Sequence, residues 1–63
     1  MRRISNVIRN GQFVVLEDRS EWEVNGIDAM ESVSWLPTQE VLICGKQMIN
    51  GANGKIITVT RIR

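Results

Sequence analysis

Apolar residues in this chain fall in short runs, and turn-forming residues separate the runs at close intervals. Ile4–Arg9 and Gln12–Leu16 flank Asn10-Gly11. Asn-Gly between apolar-bearing runs is a strong hairpin signal, because both residues accept a positive φ. Glu17-Asp18-Arg19-Ser20 then places four polar residues ahead of Trp22, which predicts a second turn. Trp22 and Val24 alternate with Glu21 and Glu23, the two-residue period of a half-buried strand. Residues 3–25 thus predict a three-stranded meander.

The character changes after Asn25-Gly26. Asp28 and Glu31 have the spacing of a capping box, in which each side chain satisfies backbone N–H groups at a helix start. Ile27, Met30 and Val33 fall three apart, so a short helix or 3₁₀ turn over Asp28–Ser34 fits, with one apolar edge. Pro37 stops it and pushes Leu36 toward extended backbone. Glu40–Cys44 is a continuous run of β-formers, which suggests burial on both faces. Gln47–Ile49 predicts a brief strand, residues 50–54 a turn, and Lys55–Arg63 the longest strand.

Five or six short strands and one helical turn predict a mainly β fold, a small SH3-like barrel, with an OB-like barrel as the alternative. In such a barrel the last strand is expected to pair back near the first. The predicted core is Val7, Phe13, Val15, Trp22, Val24, Met30, Val41, Ile43, Ile57 and Val59.

Three stretches carry a family likeness. They are Leu16-Glu17-Asp18-Arg19-Ser20-Glu21-Trp22-Glu23-Val24, Trp35-Leu36-Pro37-Thr38-Gln39-Glu40-Val41 and Met48-Ile49-Asn50-Gly51. The chain resembles small bacterial SH3-like β-barrel domains of uncharacterised function over about residues 3–60. The resemblance implies the barrel and brings no catalytic residues. The chain departs from the family at Arg19, where the family's turn usually has glycine.

Size narrows the function. Sixty-three residues read as one domain, 1–63, with no repeat or linker. A chain this short hides only about 60% of its unfolded surface. A ligand pocket of typical size, about 300–1,000 Å³, would compete with the core for side chains. The expectation is a chain that is not an enzyme, with no small-molecule substrate and no cofactor. One cysteine and no histidine leave neither an internal disulfide nor a zinc site. Cys44, set in Val-Leu-Ile-Cys, reads as an inert core thiol. Glu21 and Glu23 share one strand face and read as solvated. No apolar run reaches the roughly 20 residues of a membrane span, so no membrane partner is expected. Met1-Arg2-Arg3 lacks the following apolar segment of an export signal, and the expected compartment is the cytoplasm.

Charge arrangement adds the candidate surface. Net charge is +3 over residues 1–16, −6 over 17–40 and +4 over 41–63. If the terminal strands are neighbours, Arg2, Arg3, Arg9, Arg61 and Arg63 form a basic face, opposite an acidic hairpin and helix. Trp35, at a loop boundary, reads as core or as an exposed docking platform and joins the candidate surface. A protein partner or self-association through the complementary faces is the leading expectation. Binding of nucleic-acid phosphates by the basic face is the alternative.

Overall fold

A computed structural model describes residues 2–63. Runs rich in β-branched and aromatic residues become β1 (Arg2–Ile8), β2 (Phe13–Leu16), β3 (Glu21–Val24), β4 (Glu40–Cys44), β5 (Gln47–Asn50) and β6 (Ile56–Arg61), with α1 (Ala29–Ser32) between β3 and β4. The predicted meander is β1 to β3. The longest strand is β1 rather than the C-terminal one.

The strands close into an antiparallel barrel in the order β1-β2-β3-β6-β5-β4. Closure uses two strands that each serve two neighbours in turn. Arg2 and Arg3 of β1 pair with β4, and Ile4 onward pairs with β2. Ile56–Thr58 of β6 pair with β5, and Val59–Arg61 pair with β3. The first and last strands are therefore not neighbours, contrary to expectation; each closes the ring through its own bend. The β2–β3 turn and both described chain ends lie at one pole, where the Glu17 N–H donates to Arg3 O and the Glu21 N–H to Arg63 O. The β1–β2 turn and α1 lie at the other.

Ile4, Val14, Leu16, Trp22, Val24, Trp35, Val41, Met48, Ile57 and Val59 form the buried core, with Val7 and Ile43 packed against it. Phe13 and Val15 are corrections: Val14 and Leu16 point inward instead. All four residues of β2 are apolar, and a one-residue slip moves a strand's whole set to the other face, so alternation could not choose. In β1 a bulge between Ile4 and Asn6 shifts the parity, which lets both Ile4 and Val7 face inward. Met30 is also a correction, being 86% exposed. Cys44 is exposed, not buried. Only one side of β4 meets the core, through Val41 and Ile43, so Leu42 and Cys44 point outward.

Among the described residues, no helix is long and apolar enough to cross a membrane.

Candidate functional site

The arginines of the predicted basic face are divided. Arg9 sits in the β1–β2 turn, its guanidinium carbon 5.8 Å from the centroid of the Phe13 ring. Arg2, Arg3, Arg61 and Arg63 gather at the opposite pole, but carboxylates are interleaved with them. Arg2 pairs with Asp18 at 3.3 Å and Arg63 with Glu21 at 3.1 Å. Arg2, Arg3, Glu17 and Asp18 line one open hollow of mixed charge. The acidic β2–β3 hairpin, expected on the far side from the arginines, lies among them. It does so because its turn connects strands whose ends pair with the start of β1 and the end of β6.

A hydrogen-bond chain fixes this turn. The Trp22 indole N–H donates to Ser20 Oγ at 2.9 Å, and that hydroxyl donates to Asp18 Oδ1 at 2.5 Å. The Ser20 backbone N–H donates to the same oxygen at 2.9 Å. The Ser20 hydroxyl bond, then its N–H, then the charges of Arg2 and Arg61 hold the Asp18 carboxyl below its ordinary pKa. Arg19 takes φ +74° to complete the turn. That is the conformation for which glycine is usual, at the position where the family resemblance expects glycine.

Trp35 is no surface platform: it is 2% exposed and belongs to the core. Its burial organises the other pole. Around α1 the backbone bonds are mostly of the i→i+3 kind: Asp28 N–H to Asn25 O, Glu31 to Asp28, Ser34 to Glu31 and Trp35 to Ser32. Ser32 to Asp28 and Val33 to Ala29 are i→i+4 bonds of the α-helical middle, so side chains three apart fall in three rows that drift slowly around the segment. Ala29, Ser32 and Trp35 form the row against the barrel; Ser32 is fully buried. Only one row can face inward, and the row holding the indole buries most apolar area. Asp28, Glu31 and Ser34 form the second row. Ile27, Met30, Val33 and Leu36 form the third, 85%, 86%, 51% and 60% exposed.

Polar bonds lock this orientation. Ser32 Oγ donates to the Gly11 carbonyl at 2.6 Å. A Cβ on Gly11 would lie 2.4 Å from Ala29 O and 2.7 Å from Val33 N, so only glycine admits this approach. The expected capping box does not form. The Asp28 carboxylate instead accepts the Thr58 N–H of β6 at 2.8 Å, and Glu31 accepts the Trp35 indole N–H at 3.3 Å. Both carboxylates tie the segment to the barrel rather than cap the helix.

The aliphatic row is the feature sequence reasoning misplaced. The spacing of Ile27, Met30 and Val33 is legible in the sequence, which puts Met30 in the predicted core and leaves Ile27 and Val33 unassigned. The signal that could have oriented it is the competing row at the same spacing, which ends in Trp35. Among the described residues, no group of three or more His, Cys, Asp or Glu side chains converges as a metal site would require. Comparisons with protein-family models, curated proteins and solved structures return no match for this chain.

Proposed function

We propose that this chain is a non-catalytic protein-interaction module that meets its partner through the row Ile27, Met30, Val33 and Leu36. One observation carries the reading: four aliphatic side chains in line, each at least half exposed, on a segment whose other two faces are engaged. Single exposed apolar residues are ordinary, but a contiguous set on one small domain marks a contact surface. Burying such area yields roughly 25 cal/mol per Å² before the costs of association.

The way β1 and β6 each serve two neighbours supports an SH3-like description of the barrel, and an exposed lone thiol, Cys44, is in keeping with a reducing compartment. Self-association through complementary charged faces draws less support, since Arg2 and Arg63 have carboxylate partners in their own chain. Nucleic-acid binding loses the same support, because a single basic face of Arg2, Arg3, Arg9, Arg61 and Arg63 was its premise.

The test compares the natural chain with the double variant Ile27→Ser/Met30→Ser, each immobilised and exposed to lysate of the source cell. Mass spectrometry would find proteins retained by the natural chain and lost from the variant, with the melting temperature unchanged. Identical retention by the two, or none by either, removes the reading.

A further inference from the structure

Resting on that reading, we infer that the occupant of the row is a basic amphipathic α-helix, about three turns long, presented by a different protein.

Length comes from the winding. From Ile27 to Leu36 the segment mixes 3₁₀ and α-helical bonds, so nine residues at about 1.5–2.0 Å each give an apolar row of roughly 14–18 Å. An α-helix covers that length in about 9–12 residues, or about three turns. Steps along the row are about 5–6 Å, the rise of three to four residues in an α-helix. Side chains at i, i+3 or i+4, and i+7 of a partner helix therefore keep pace with the row.

A helix suits the row because the row gives a partner backbone nothing to pair with. Its residues lie on a helical segment and its flanking turns, not along a strand, so a partner strand finds no strand edge there. A helix satisfies its own N–H and C=O groups and needs only side-chain contact.

Charge comes from the neighbouring row. Asp28 and Glu31 run alongside the aliphatic row, and from Ser20 to Gly45 the chain has five carboxylates and no Lys or Arg. Arg9, on the adjacent β1–β2 turn, is drawn over the Phe13 ring. A partner helix with its apolar stripe on Ile27, Met30, Val33 and Leu36 thus sets its flank beside a line of negative charge. Lys or Arg on that flank complements it, and Asp or Glu is repelled.

A second copy of this chain does not meet the description. The one helix among the described residues is α1, four residues long and acidic.

The experiment uses three fluorescein-labelled peptides with the intact chain, read by anisotropy at low and high salt. The first carries Leu along one helical stripe and Lys beside it; the second has Glu for every Lys; the third scrambles the first so that no stripe remains. The Lys peptide binds, more weakly at high salt, and the other two do not. Ile27→Ser/Met30→Ser weakens its binding by roughly tenfold or more, as loss of a contact centre does. Glu31→Gln, which keeps an acceptor for the Trp35 indole, weakens it less and lowers its salt dependence. Amide spectra of both variants establish that they are folded. Equal binding of the Glu or scrambled peptide, or binding indifferent to the row variant, overturns the inference. If the Lys peptide fails while row-dependent capture from lysate persists, the basic helix is wrong and the interaction reading stands. If that capture fails as well, both are wrong.

Discussion

At the pole of the β2–β3 turn, the Trp22 indole donates to Ser20, Ser20 to Asp18, and Asp18 pairs with Arg2. At the pole of α1, polar groups also turn toward the protein: Ser32 to the Gly11 carbonyl, Asp28 to the Thr58 N–H. The difference lies in what is left outside. The first pole leaves Arg2 and Arg63 already paired with carboxylates. The second leaves a line of aliphatics at least half exposed. Polar residues used as internal ties dictate, by exclusion, which side chains face outward, and here the exclusion falls on the apolar ones.

The largest expected break in this contrast is at Trp35. Trp35→Ala removes the buried side of the segment and costs about 3–5 kcal/mol, enough to unfold so small a domain. Met30→Ser, five residues away on the exposed row, changes stability by no more than about 0.5 kcal/mol. Urea melts of the two variants measure both. Similar losses at the two positions would mean that the wrong row has been placed inside.

Gly11→Ala is the next effect. The added methyl meets Ala29 O and Val33 N at a residue with φ +88°. It costs about 1–3 kcal/mol and loosens the α1 pole while the β2–β3 pole is unaffected. Faster amide exchange confined to residues 27–35 is the expected record. Uniform destabilisation would show that the two poles are one cooperative unit.

Acidification sharpens the comparison from the other side, with the smallest effect. The Asp18 carboxyl has a lower pKa folded than unfolded, so its contribution is present above the ordinary carboxylate range. It is lost as pH falls through the folded value. Below about pH 4, the melting temperature of the natural chain should therefore fall more steeply than that of Asp18→Asn. Parallel curves would remove Asp18 from the network that holds the turn.

Much of the fold was legible. Turn residues separated the strands, and Trp22, Val24, Val41, Ile57 and Val59 were readable as core because each alternates with polar or solvent-facing neighbours. Legibility failed where alternation carried no contrast. In Phe13–Leu16 every position is apolar, and in Val41–Cys44 the continuous run hid an outward-facing Cys44. The candidate surface was harder. It was built on strand adjacency, a property of pairing order, and the order brings Arg2 and Arg61 to one pole only together with Asp18. Asp28 and Glu31 illustrate a further limit. Their spacing matched a local cap, yet an unpaired N–H on a distant strand and a buried indole were the partners they took. Nothing in residues 28–31 alone announces Thr58.

The bulge at the start of β1 gives the chain a fixed phase. Between Ile4 and Val7 the inward positions are three apart, and Ser5 makes up the odd residue. Add one more residue beside it, and the upstream side chains rotate by one place: Ser5 would take the site of Ile4, in the middle of the core, and Ile4 would turn outward. Substitutions along β1 alter one side chain at a time, but a single-residue insertion at the bulge alters every side chain on one side of it. The exposed β5–β6 turn over residues 51–54 has no such phase to keep. Over evolutionary time, change in this small protein should come to β1 as replacement and to the 51–54 turn as insertion and loss.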